Sequence, residues 1–386
     1  MYGMFNLNKG GALIRQPVNN VLFHDDVDGI ISASIFLYAN KDANYRLYPV
    51  SSSLRGEKFS TLFHSIPRHK TSKRIILDYQ YEKDSDLWID HHFNPEFGES
   101  AIKNENIIYD PKAKSATCLV ANYIKQSKSG LLTSFDLWMA DMIDSGEYNS
   151  VEQIFRDKNP MMRLRAYLEK VYHATSEMAC CRIVEVIANS NMNIEEALFK
   201  LKIGTYYVTE LEKNALQIKD SIVVVKNISI VRQKRMNQFP RYSEYFVLPD
   251  IKYSLRITPV GNKNIYIQLG FNNWQKKSNK FNIGKMFTEM QDKYIIHGGG
   301  HFNVGAASLK EENLEQFIDK ITETLNEEDS MEKYAVDSTD PIEQKANEMI
   351  KEGSAKTIAE AREKSSIQIP LEGSNGPSDS GEKEIQ

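Results

Sequence analysis

Between residues 19 and 150, short apolar runs alternate with helical patterns, and this alternation narrows the folds open to that part of the chain. The runs are NVLFH (20–24), YRLYPV (45–50), KRIILD (73–78), DLWID (86–90) and NIIYD (106–110). Helical patterns lie at 28–40, 115–127 and 132–144. Strands alternating with helices build parallel βαβ units, because a parallel pair needs a crossover long enough to hold a helix. A mostly parallel α/β sheet is therefore expected over 1–150.

The text changes twice after that. Residues 151–220 read as a helical connector. From 221 the β-rich runs SIVVVKNISIV, YSEYFVL, YSLRITPV and NIYIQLGF appear. A helix is expected at about 309–326, with Leu309, Leu314, Phe317, Ile318, Ile321 and Leu325 on one face. A smaller α/β domain over 221–327 follows from these signals. Residues 328–386 are charged and end in LEGSNGPSDSGEKEIQ, the composition of a mostly disordered tail, with a transient helix near 341–364.

Composition bounds the function. With 48 basic and 52 acidic residues the net charge is −4, which argues against a protein that coats long nucleic acid. The three cysteines, Cys118 and the pair Cys180-Cys181, lack metal-site spacing and make no disulfide framework, so a reducing cytoplasm is expected. No apolar run is long enough to span a bilayer, and the first residues lack the apolar stretch of a signal peptide. No membrane partner is expected.

The ends of the strand runs carry the chemistry. The first run leads into His24-Asp25-Asp26-Val27-Asp28-Gly29, the third ends in Asp78, and the fourth in Asp90-His91-His92. The pattern at 132–146 adds Asp141 and Asp144. Each signal alone has an ordinary explanation: Asp78 as a loop carboxylate, the DDVD run as a solvated turn, one of the histidines as a core residue. Together they occupy matching positions of one αβ pattern, and ligands gather at the carboxyl ends of strands in open parallel sheets. Unpaired carboxylates crowded there resist desolvation, so a cation among them is the economical solution. Oxygen ligands with a few imidazoles and no thiolate suit Mn²⁺ or Mg²⁺ better than structural Zn²⁺, although Zn²⁺ also accepts them. Asp25 is expected to point away into solvent. His64 and His69 are expected in loops and His173 on a helix surface. Arg156, Arg163, Arg165 and Lys170 are expected on solvated helix faces.

The set HxDxDG at 24–29, Asp78, Asp90-His91-His92 and MIDSG at 142–146 resembles the DHH phosphoesterase superfamily. IIHGGGHFNVGAAS at 295–308 is similar to the glycine-rich GGGH motif of the DHHA1 domain that follows many DHH domains, and SLR at 254–256 resembles a segment of that domain. The family includes RecJ-type single-strand exonucleases, nanoRNases and cyclic di-AMP phosphodiesterases.

The resemblance implies a hydrolase with two divalent cations, Mn²⁺ foremost and Mg²⁺ also suited. One would be held by His24, Asp26 and Asp78, the other by Asp28, Asp78, His91 and Asp144, with Asp78 bridging. Asp144 is preferred to Asp141 because Asp-Ser-Gly resembles the family's Asp-Thr-Gly. His92 would face the phosphate and Asp90 would orient the histidine pair. Such ions offset the charge of a phosphodiester and activate water for attack on phosphorus. Arg256, Gly298, Gly299, Gly300 and His301 would hold the substrate's end. The expected substrate is a short oligonucleotide, a dinucleotide or a cyclic dinucleotide, and a homodimer is compatible with the sequence. The alternative is a RecJ-like exonuclease on longer single-stranded DNA. A non-catalytic DHH scaffold fits less well, because such scaffolds lose ligands that are all present here.

Overall fold

The computed structural model describes residues 18–326 except 52–53, 69, 95, 99, 126–133, 172–176, 276–280, 292 and 301–302. The expected tail, His69, His173 and His301 lie outside the described residues, as does the side chain of Lys170. The described residues form two compact units. One runs to Ser221 and also takes in Asn237–Pro249; the other comprises Ile222–Met236 and the residues from Asp250 onward.

The first unit is built on a six-stranded sheet. Its strands are β1 (Val18–His24), β2 (Asn44–Val50), β3 (Arg74–Leu77), β4 (Leu87–Asp90), β5 (Ile102–Lys103) and β6 (Ile107–Tyr109), in the order β2-β1-β3-β4-β6-β5. All pairs are parallel except β5 with β6. The short edge strand β5 carries too little apolar signal to be read from sequence. The register places Phe23 beside Leu77 and Leu77 beside Ile89. The next residue of each strand line is therefore His24, Asp78 and Asp90, one row at the carboxyl edge of the sheet.

Around the sheet lie α1 (Val27–Ala39), α2 (Glu57–Ser65), α3 (Ala116–Lys125) and α4 (Ser134–Ser145). Helix α1 is buried along nearly its whole length, packed on α3, α4 and a later helix. That burial explains its evenly apolar sequence, IISASIFLYA. Gly29 makes the close approach possible: a Cβ there would lie 2.2 Å from the His24 carbonyl oxygen. His64 sits in the last turn of α2, not in a loop, because Phe59 and Phe63 bury that helix's apolar face.

Five more helices follow: α5 (Val151–Arg156), α6 (Pro160–Val171), α7 (Glu177–Asn189), α8 (Ile194–Leu201) and α9 (Tyr206–Leu216). Three of their arginines are paired within the unit. Arg156 pairs with Glu212 at 2.8 Å and Arg163 with Glu195. Arg165 is buried and paired with Glu169 at 2.7 Å, so the expected solvated face does not hold for it. The run YSEYFVL, read as β-rich, forms a short helix, α10 (Ser243–Val247). The Phe246 ring packs tilted against Phe155 at 4.6 Å between centroids and under Arg156, and this packing overrides the strand preference of its aromatics.

The second unit holds a six-stranded sheet of β7 (Ile222–Val225), β8 (Ile228–Arg232), β9 (Tyr253–Pro259), β10 (Asn264–Phe271), β11 (His297–Gly300) and β12 (Val304–Lys310), ordered β11-β12-β10-β9-β8-β7. Leu255, Ile257, Ile267 and Leu269 pack with α11 (Ile283–Glu289) and α12 (Leu314–Asn326). Leu309 is buried from β12, in register with Ile265, and not from the helix, which begins at Leu314. No helix among the described residues is long and apolar enough to cross a membrane.

Candidate metal centre

Three strand ends and three helix termini of the first unit converge on one cluster. His24, Asp26 and Asp78 bring ligand atoms within 4.8 Å of one another; so do Asp28, His91 and Asp144, and so do Asp78, Asp90, His91 and His92. Asp78 belongs to two of these groups, and its oxygens lie 3.7 Å from His24 Nδ1 and 3.6 Å from His91 Nε2.

Local structure sets each side chain. Asp26 caps α1: one oxygen accepts from the Gly29 N–H at 3.0 Å, and the other lies 2.6 Å from His24 Nδ1. Asp28, in the first turn, accepts the Ala116 and Thr117 N–H groups at 2.7 and 2.8 Å. The N-terminus of α3 thus holds that carboxylate in a buried position. Asp78 follows β3 with a left-handed φ of 57°, a conformation Asp tolerates better than most residues. Asp90 accepts from the His91 and His92 N–H groups at 2.8 and 3.1 Å and from His92 Nδ1 at 2.9 Å. Asp144, in the last turn of α4, lies 3.2 Å from His91 Nε2.

Asp141, the alternative to Asp144, is turned elsewhere. It accepts from Ser115 Oγ at 2.5 Å and from Cys118 Sγ at 3.3 Å. It thereby ties α4 to the start of α3, the same turn that grips Asp28. Nothing in the sequence pattern marks Ser115, Ala116 and Thr117 as site residues, because the grip on Asp28 comes largely from backbone N–H groups that no residue code reveals. The signal that was present is the Ser-Ala-Thr opening of a helical pattern, a plausible cap.

The electrostatics show what this cluster lacks. Asp78 is fully buried, yet neither carboxylate oxygen has a hydrogen-bond partner; His24 Nδ1 and His91 Nε2, each beside carboxylates, make no aligned hydrogen bond either. His91 Nδ1 lies 3.0 Å from the Ala113 carbonyl. A carbonyl only accepts, so Nδ1 carries a hydrogen and Nε2 is the ring atom turned toward Asp28, Asp78 and Asp144. Burial, then the charges of Asp28 and Asp26, push Asp78 well above the usual carboxylate range. Burial and Asp144 push Asp28 up to about 7. For His91 burial opposes the charge, but Asp144, Asp28 and Asp78 win and raise it to about 10. Burial would raise Asp26 too, but His24 beside it and the Gly29 N–H hold it well below the usual range. Such a cluster must take up protons or cations to be stable. The buried atoms without aligned hydrogen bonds and ligand groups made of carboxylate and imidazole alone fit divalent metal ions.

The expected substrate residues lie in the second unit. Arg256 is buried in mid-β9, opposite Gln268 of β10; Gln268 pairs with Ala306 of β12, and Ala306 with Gly299 of β11. Arg256 and Gly299 therefore share one row across four strands, about 14 Å apart at ordinary strand spacing. Two of the three glycines have packing reasons. A Cβ at Gly298 would meet Ile295 at 2.6 Å, and one at Gly300 would meet the Val304 carbonyl at 2.3 Å. Gly299 alone has room, its nearest neighbour being Thr288 Oγ1 at 3.9 Å.

No family model matches this chain, and no curated protein does. Solved structures do. The pGpG-specific phosphodiesterase PggH from Vibrio cholerae is 18% identical with a TM-score of 0.57, over 80% of this chain and 99% of that one. An exonuclease RecJ bound to manganese is 9% identical with a TM-score of 0.45, over 83% of this chain and 93% of that one. RecJ from Thermus thermophilus in complex with Mn²⁺ is 10% identical with a TM-score of 0.40, over 81% of this chain and 52% of that one. At a TM-score of 0.57 over nearly the whole of that protein, the chain shares its fold with PggH.

Proposed function

We propose that this chain is a metal-dependent phosphodiesterase acting on short oligonucleotides or dinucleotides. The observation that carries the proposal is Asp78: a buried carboxylate with no hydrogen-bond donor, at the junction of two ligand groups. His24, Asp26 and Asp78 would hold one divalent cation, and Asp28, Asp78, His91 and Asp144 a second, Mn²⁺ or Mg²⁺. Bound there, the cations would offset the phosphodiester's charge and make water a competent nucleophile near neutral pH.

The chain's own residues do the rest. The α3 N-terminus fixes Asp28 and the Ala113 carbonyl fixes the tautomer of His91, so the ligands are oriented in advance. His92 is half-exposed, and Asp90 at its Nδ1 leaves Nε2 for the substrate side. Protonated there, His92 would donate to a phosphate oxygen or to the leaving group. Arg256 and Gly299 of the second unit are the candidates for holding the substrate's end. The near-neutral charge supports a short substrate, as does a fold shared with a dinucleotide phosphodiesterase along that protein's full length.

The test is a substrate panel: pGpG, pApA, cyclic di-AMP, 5-mer RNA and 30-mer DNA, with Mn²⁺ and after exhaustive chelation. Turnover should need the metal and fall with length. Full activity after chelation would sink the metal reading, and fastest cleavage of the 30-mer would replace the short substrate with long single strands.

A further inference from the structure

Asp144 is held less firmly than its fellow carboxylates at the cluster. Asp26 and Asp28 accept backbone N–H groups. Asp144 meets His91 Nε2 at 3.2 Å and accepts no backbone N–H among the described residues. Its direction therefore depends on where the end of α4 lies. That end is the run Asp144-Ser145-Gly146. Ser145 Oγ donates to the Asp141 carbonyl at 2.7 Å, and the buried Gly146 leaves the helix with a φ of 70°. A left-handed residue just past a helix is a common stop, and glycine suits it. Tyr148, two residues on, is buried, and its hydroxyl lies 3.5 Å from the Ile143 carbonyl.

A side chain from a distant part of the sequence closes on this end. A Cβ at Gly146 would lie 2.8 Å from the Tyr242 hydroxyl oxygen, and the Tyr242 and Tyr148 rings meet edge to face at 6.2 Å. Tyr242 adopts φ 68° and ψ 7°, a left-handed conformation that bulky residues rarely occupy. Glycine or asparagine would sit there with less strain. The surroundings enforce it. The Arg241 N–H donates to one oxygen of Glu169 at 2.9 Å, and the other oxygen holds the buried Arg165 at 2.7 Å. Arg165 lies over the Tyr148 ring at 5.6 Å. Ser243 Oγ donates to the Pro240 carbonyl at 2.7 Å, and the Tyr242 carbonyl accepts from the Tyr245 and Phe246 N–H groups at 3.1 Å. Strain of this kind persists only where neighbouring contacts over-determine it, and it points to a use for the side chain so held.

We infer that Tyr242 is a positioning residue for Asp144. By closing on Gly146 it fixes where the last turn of α4 ends, and so where the Asp144 carboxylate meets His91. The contact lies within the first unit, to which Tyr242 belongs through the segment Asn237–Pro249. Tyr242 acts through one ligand and touches neither ion nor substrate. Asp144 belongs to the proposed set of the second cation alone, with Asp28 and His91. Tyr242 thus sets how tightly that cation is held and leaves the first to His24, Asp26 and Asp78. The inference rests on the metal reading above. It also gives a reason for the glycine of MIDSG: a side chain there would crowd the Tyr242 hydroxyl as well as strain the backbone.

The experiment is a Mn²⁺ titration of the full chain, followed by calorimetry and by electron paramagnetic resonance, which separates a lone Mn²⁺ from a coupled pair. The wild type should bind two equivalents and give the coupled signal. Tyr242→Asn tolerates the left-handed backbone and removes the ring. It should hold the first ion at wild-type affinity and weaken the second by about 10–100-fold, the usual loss when a ligand's support is removed. Near two equivalents its spectrum should be that of a lone ion, and excess Mn²⁺ should restore the coupled pair. Circular dichroism of the metal-free protein checks that the fold is kept. Tyr242→Phe decides the matter if Tyr242→Asn does not fold. It keeps the ring but loses the atom nearest Gly146, and it should weaken the second ion severalfold. Two tight ions in a folded Tyr242→Asn protein, or equal weakening of both, overturns the positioning role. Wild-type binding by Tyr242→Phe does the same where Tyr242→Asn does not fold. Fewer than two ions in the wild type sinks the metal reading itself, and the role of Tyr242 with it.

Discussion

The carboxyl edge of the first sheet and the glycine row of the second hold their polar and small residues for different reasons. In the second unit packing accounts for most of what the motif contains. Gly300 is demanded by the β11–β12 hairpin, a Cβ at Gly298 would crowd the Ile295 side chain, and of the three only Gly299 has open space beside it. In the first unit packing accounts for almost nothing. Asp78, His24 and His91 turn buried polar atoms toward one another with no hydrogen-bond partner, an arrangement that costs roughly 1–3 kcal/mol per group. A motif is strongest evidence of function where the fold gains nothing from it, and by that measure the candidate metal cluster outranks the glycine triplet.

The sharpest way to break this contrast is Asp78→Asn. It removes a proposed ligand from both ions, so hydrolysis should fall by more than the roughly 10–100-fold typical of a residue that only supports a ligand. Bound metal, measured by mass spectrometry, should drop well below two equivalents. The metal-free variant should be at least as stable as the metal-free wild type in denaturant melts, since a buried amide needs neither a proton nor a cation. A metal-free variant less stable than wild type would mean that Asp78 is satisfied by the fold after all.

Next in size is the tie between α3 and α4. Ser115→Ala and Asp141→Asn leave every proposed ligand in place but loosen the turn that grips Asp28. Metal affinity should weaken by about 10–100-fold, with activity recovered at high Mn²⁺. Loss that excess metal does not recover would place Asp141 among the ligands.

Arg256→Ala should raise the KM for dinucleotides by about tenfold to hundredfold, if one charge-assisted hydrogen bond is lost and KM follows binding. Metal content should stay at the wild-type level, because no proposed ligand lies in that unit. A fall in bound metal would show that the two regions do not divide the work.

The smallest effects separate the glycines. Gly298→Ala should cost about 1–3 kcal/mol through its clash with Ile295, whereas Gly299→Ala should cost less than about 1 kcal/mol. A rise in KM in the stable Gly299→Ala protein would then report on substrate and not on folding. Equal destabilisation would remove the reason for singling out Gly299.

Much of this was legible in the sequence. The βαβ alternation, the sheet's parallel character and the ligand types at strand ends follow from local patterns, because strand period, helix period and charge placement are written in neighbouring residues. The sequence could not show that YSEYFVL is helical, since the contact of Phe246 with Phe155 spans about ninety residues. Nor could it show the row that sets His24, Asp78 and Asp90 side by side, which is a matter of strand register. Asp141 and Asp144 are equally acidic and one turn apart; only the packing of α4 on α3 turns Asp144 toward His91 and Asp141 toward Ser115. Residue identity determined which groups were available for chemistry. Long-range packing decided which of them face one another with their charge unmet, because burial and mutual distance exist only once the chain has folded.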